Sequence, residues 1–128
     1  MKIILDTNFL LIPGTLGVDI FSEINRICNF SYTLHIVDKT LDELKKIIET
    51  QRQKYSAAAK LALQLLKQKN ITIIKTESDD SVDNLILKLA KQAKIIVATQ
   101  DKEFKRLLKA AKAGIIVLKQ KKYLFLSS

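Results

Sequence analysis

The chain has 128 residues, 48% of them apolar and 27% charged. That mixture can bury a core without disulfide or metal staples and excludes a disordered or collagen-like polymer. Lys and Arg number 22 against 13 Asp and Glu, a net charge of +9. A compact protein this basic turns its excess toward an anionic partner, nucleic acid first and an acidic membrane surface second. The single Cys28 has no partner for an internal disulfide, which points to a reducing, cytoplasmic compartment. No stretch approaches the roughly 18 apolar residues of a membrane span. The apolar N-terminal run carries Asp6 and Asn8 in its middle, unlike the core of a signal peptide. One soluble α/β domain over 1–128 is expected, with no membrane partner.

In chain order, short apolar runs rich in Ile and Val read as strands covered on both faces: Lys2–Leu5, Thr33–Val37, Ile71–Ile74, Ile95–Ala98 and Ile115–Leu118. Pro13, Gly14 and Gly17 mark one early loop. Between the strands lie segments with helical spacing. Val18–Cys28 sets Ile20, Phe21, Ile24 and Ile27 on one stripe; Leu41–Gln53 follows Thr40 as N-cap; Tyr55–Lys69 is Ala- and Leu-rich. Ser81–Ala93 and Lys102–Ala113 complete the alternation, the latter with Gly114 as its C-terminal residue. Tyr123–Leu126 pairs as an edge strand across the turn at Lys119–Lys122. Strand alternating with helix predicts a central parallel sheet of about five strands flanked by helices.

Open parallel sheets bind ligands beyond the carboxyl ends of their strands. Four acids fall there: Asp6 after the first strand, Glu43 in the first turn after the second, Asp83 in the first turn after the third, and Asp101 past the fourth. Singly, each has a structural reading as a turn residue, a cap or a partner of the helix dipole. Jointly, they crowd one sheet edge, and crowded carboxylates repel unless a cation joins them. Hard oxygen donors without His or Cys suit Mg²⁺ or Mn²⁺ and argue against zinc. His35 lies within a strand and Cys28 ends an apolar stripe, so both read as core. No glycine-rich phosphate loop is present. Such a site in a basic protein suggests phosphodiester hydrolysis.

These motifs resemble the PIN-domain nuclease family along essentially the whole chain. The resemblance rests on Asp6-Thr7-Asn8 after the first strand, Glu43-Leu44, Asp83 leading the helix Val82–Leu87, Thr99-Gln100-Asp101, and the strand Gly114–Val117. It implies a PIN-like three-layer sandwich and a Mg²⁺- or Mn²⁺-dependent endoribonuclease. Asp6, Glu43, Asp83 and Asp101 would hold the metal and carry catalysis. Asn8 and Thr99 would hydrogen-bond those carboxylates. Asn84 stands where the family often has a second Asp, and the pair Asp79-Asp80 precedes it, so Asp80 is an alternative third acid. Gln100 replaces the more usual Asn. The resemblance further implies a VapC-type toxin with an antitoxin partner, or an RNA-maturation nuclease working with ribosome-assembly factors. A non-catalytic RNA-binding module of the same fold is the competing class. A homodimer is also implied, with the apolar-rich Tyr55–Lys69 helix offering a patch.

Lys102, Lys105, Lys109 and Lys112 form one stripe on the last helix, opposite Phe104, Leu107, Leu108 and Ala111. With Lys39 they are the candidate contacts to an RNA backbone. Aromatics make up only 6% of the chain, so little base stacking is expected.

Overall fold

The computed structural model describes residues 1–127. In order, the elements are β1 (Lys2–Leu5), α1 (Thr7–Leu10), α2 (Ile12–Leu16), α3 (Ile20–Ile27), β2 (Thr33–Val37), α4 (Asp38–Thr50), α5 (Gln53–Gln68), β3 (Thr72–Ile74), α6 (Val82–Gln92), β4 (Ile95–Ala98), α7 (Lys102–Ala110), β5 (Gly114–Lys119) and β6 (Tyr123–Ser127). The strands form one sheet in the order β3-β2-β1-β4-β5-β6. Every pairing is parallel except β5 with β6.

Side chains alternate across this sheet and build two cores. Ile3, Leu5, Ile36, Ile96, Ala98 and Ile116 face α1 through α5. Ile4, Ile95, Val97 and Ile115 face α6 and α7, meeting Leu85, Ile86, Phe104 and Leu108. Layers of helix, sheet and helix result, with five helices on one side and two on the other.

Three local expectations change. The early loop instead contains two short helices. Pro13 lies in the first turn of α2, where its missing N–H costs nothing. Gly14 lets α2 close onto α5, because a Cβ there would stand 2.4 Å from the Ala58 Cα. Thr40 does not cap α4: the helix starts at Asp38, straight from β2, and Thr40 is fully buried inside it. Glu43 therefore lies in the second turn. Gly114 does not end α7 but opens β5; Lys112 takes the left-handed conformation (φ 63°) after the helix. The α5 helix buries Ala58, Ala59, Ala62 and Leu66 within the chain, while Leu61, Leu63 and Leu65 stay half-buried and Tyr55 exposed.

The β5–β6 hairpin turns on Gln120 and Lys121, both at positive φ (54° and 56°), closed by the Lys122 N–H donating to the Lys119 carbonyl at 3.0 Å.

Candidate active site

From β1 the chain continues to β2 on one side; β4 then arrives on β1's other side. The carboxyl ends of β1 and β4 are thus the point where strand order reverses and a crevice opens. Register pairs Leu5 with Ala98, which puts the next residues, Asp6 and Thr99, side by side at the rim. The Asp6 N–H donates to the Ala98 carbonyl at 3.0 Å and extends the ladder by one bond.

Asp6 is only 3% exposed. One carboxylate oxygen accepts from the Thr7 N–H at 2.9 Å and the other from the Thr99 hydroxyl at 2.7 Å. Its pKa is pushed up to about 6: burial disfavours the charge, the Thr99 bond opposes this, and Asp83 and Glu43 add repulsion. The Thr99 hydroxyl also accepts from the Asp101 N–H at 3.2 Å, linking both acids through one atom.

Asp83, exposed in the first turn of α6, has a raised pKa as well, from desolvation and then from Asp101 and Glu43. The four acids therefore share one field: Asp6 is raised by Asp83 and Glu43, and Asp83 by Asp101 and Glu43. Asp101 is the N-cap of α7 and accepts from the Phe104 N–H at 2.9 Å. Glu43 is held by Thr7, whose hydroxyl donates to it at 2.5 Å across 36 residues of sequence. A cleft of about 190 Å³ between α6 and α7 is lined by Asp83 and Asp101.

Other candidates sit elsewhere. Asp80 accepts from the Ser81 N–H and from the Asn84 amide, and pairs with Lys88 at 3.7 Å. The Asn84 bond leads in holding its carboxyl below the usual range, and Asp80 does not enter the field of the other four. Asn84, in place of a second acid, thus secures Asp80. Asn8 bonds no carboxylate, contrary to expectation; its side-chain oxygen accepts weakly from the Gln100 N–H at 3.5 Å. Thr7 does for Glu43 what was expected of Asn8, and it follows Asp6 directly in the motif. Gln100 reaches β5, accepting from the Leu118 N–H at 2.8 Å, a span suited to its longer side chain. Lys39 pairs with Asp79 at 3.4 Å. Lys102, Lys105 and Lys109 lie along α7, which begins after Asp101, on the side that faces β5 and β6. His35 is buried, with its pKa lowered by desolvation, and bonds Thr33 at 2.8 Å.

Among the described residues, no three His, Cys, Asp or Glu side chains are gathered tightly enough to hold one ion as they stand. The donor set nonetheless fits a hard divalent cation. Its atoms are carboxylate oxygens, their repulsion is unrelieved, and Mg²⁺ commonly keeps several waters while taking only one or two carboxylates.

The PIN-like domain model matches residues 3–121, and the chain belongs to that family. The chain is also 32% identical over 123 residues to "Ribonuclease VapC4" of Methanocaldococcus jannaschii, covering 95% of this chain and 93% of the relative. Among solved structures, the "PIN domain endonuclease Utp24" superimposes with a TM-score of 0.81 at 22% identity, over 98% of this chain and 90% of that one. A domain of a functionally unknown protein from M. jannaschii matches with a TM-score of 0.60 at 20% identity, over 92% and 91% of the two chains. These last two likenesses concern the fold. No helix among the described residues is long and apolar enough to cross a membrane.

Proposed function

We propose that this chain is a divalent-metal-dependent endoribonuclease that hydrolyses RNA phosphodiester bonds. One observation carries the reading: acids from four separate elements repel one another at the reversal point of the sheet, and two of them have pKa values raised by desolvation and by that repulsion. The likeness to a VapC ribonuclease over nearly the whole chain supports RNA as substrate. It also favours a VapC-type toxin, checked by an antitoxin, over a role in RNA maturation.

Asp6, Asp83, Asp101 and Glu43 would hold Mg²⁺ or Mn²⁺. When bound, such an ion activates water and offsets charge on the phosphate. The chain's own residues do the positioning. Thr99 fixes the orientation of Asp6 and the backbone at Asp101 with one hydroxyl. Thr7 keeps Glu43 turned toward the crevice, and Lys102, next to Asp101, offers a cation to the substrate backbone.

The test is cleavage of a structured RNA with Mg²⁺ or Mn²⁺ and with EDTA, comparing wild type with Asp6→Asn and Asp101→Asn. Asn caps helices as well as Asp does, so α7 stays intact in Asp101→Asn. Losses of about a hundredfold or more are expected, the scale of preorganised electrostatic groups. Unchanged cleavage by both folded variants would overturn the mechanism.

A further inference from the structure

Two helices cover one face of a six-stranded sheet, and they do not reach its β6 edge. On that face, alternation in β5 and β6 places Val117 opposite Phe125 and Lys119 opposite Tyr123. Phe125 is 49% exposed and Tyr123 37% exposed. The other face of β6 is closed, with Leu124 buried in the core on the α3 side. The step from α7 down to this bare strip forms a groove of about 350 Å³. Its wall carries Lys102, Lys105 and Lys109; Val117 and Phe125 are in its floor, and Lys119 closes the far side. Arg106 also lines it, tied to Glu103 by an ion pair. Among the described residues, no acidic side chain lines the groove.

We propose that this groove seats a single-stranded RNA segment flanking the scissile bond, with one base stacked on Phe125. The inference rests on the ribonuclease reading and adds a substrate subsite to it. Charge complementarity names a polyanion, and the groove begins at Lys102, one residue from Asp101. From Lys102 to Lys109 the wall runs about 10 Å along α7. The aromatic floor selects the form of the polyanion. An exposed ring receives a base only when that base is splayed out of a helix, as in a single strand. Lys119 already holds its ammonium 5.2 Å from the centre of the Phe125 ring. An arriving base replaces that contact and leaves the ammonium to a phosphate.

Binding of fluorescent oligouridylate and of an RNA duplex to the full chain, in EDTA, reads the groove without cleavage. Phe125→Ala is expected to weaken the single strand about tenfold and to leave the duplex unchanged. Phe125→Leu, which keeps apolar volume, should lose as much, and Phe125→Trp should retain or tighten binding. Lys105→Ala with Lys109→Ala should lower the log–log salt slope for the single strand by about 1.4. The equal charge change Lys60→Ala with Lys67→Ala on α5 should leave affinity and slope near wild type. Wild-type affinity in Phe125→Ala and Phe125→Leu, or equal losses from the α5 pair, would overturn the proposal. Groove-dependent binding without cleavage under any metal would instead defeat the nuclease reading and spare the groove. Cleavage with an unchanged KM in the groove variants would do the reverse.

Discussion

Two acid-rich regions lie close together on this chain and behave oppositely. In the segment joining β3 to α6 and its partner at the start of α4, Asp38, Asp79 and Asp80 each have local compensation. Asp38 accepts from the Thr76 hydroxyl at 2.6 Å and from the Thr76 N–H at 3.1 Å. Asp79 meets Lys39, and Asp80 meets Asn84 and Lys88. Asp38 and Asp80 are accordingly held below the usual carboxylate range. In the crevice, Asp6 and Asp83 are pushed the other way. Residue type is the same in both regions. What differs is desolvation: burial leads in raising Asp6 and Asp83, and neighbouring carboxylates add repulsion, whereas hydrogen bonds lead in lowering Asp38 and Asp80. Desolvated like charges call for a cation from solution.

The sharpest way to break this contrast is to exchange acids three residues apart. Asp83→Asn should reduce RNA cleavage by about tenfold or more, whereas Asp80→Asn should cleave like wild type and lose a little thermal stability. Cleavage rates and melting curves on both variants decide it; the opposite pattern would make Asp80 the third acid.

Thr99→Val comes next. It removes a hydrogen bond that favours the Asp6 carboxylate and strands the Asp101 N–H, so cleavage should fall about tenfold and its acid limb should move to higher pH. A pH–rate profile against wild type distinguishes this shift from a simple loss of folded protein.

Stability against pH should separate the two regions by sign. Asp6 has a folded pKa of about 6 against an ordinary value of 3.8. The folded state therefore binds the proton more tightly, and metal-free stability should fall as pH rises from about 4 to 6. Above that window the cost is on the order of 3 kcal/mol. Asp6→Asn should thus melt higher than wild type at neutral pH, converge with it near pH 4, and have little activity. Divalent cation should raise the wild-type Tm more at neutral than at acid pH, since protons compete for the same oxygens.

The smallest effect belongs to the compensated region. The lowered pKa of Asp38 contributes stability above its unfolded value, lost as pH falls through the folded one. Asp38→Asn should therefore flatten the acid end of the stability curve and leave cleavage untouched. Melting temperatures across the acid range check this.

Much of the framework is legible in residues alone, because Ile- and Val-rich runs bounded by amphipathic stretches have few other readings. The acids at the strand ends follow from topology. Three features escape for physical reasons. Pro13 and Gly14 look like breakers, yet Pro is at ease in a first helical turn and Gly14 is needed for the close approach to Ala58. The choice between Asp80 and Asp83 depends on where α6 begins: Ser81 caps it through the Asn84 N–H. That cap, read as the first helical residue in the sequence, places Asp83 in the first turn. The exposed ring of Phe125 escapes because a low aromatic fraction says nothing about which face of an edge strand is left bare.

The turn between β5 and β6 has a consequence for how the chain tolerates change. Gln120 and Lys121 both stand at positive φ in the three-residue connection between Lys119 and Tyr123, a left-handed backbone in which Asn and Gly are at ease. For side chains of their kind this costs about 1–2 kcal/mol each. Replacing them with Asn and Gly relaxes the hairpin while leaving Lys119 and Phe125 in place. The molecule thus keeps a reserve of stability at its rim, one that an engineer, or a lineage accumulating costly substitutions at the crevice, can draw on without touching the chemistry.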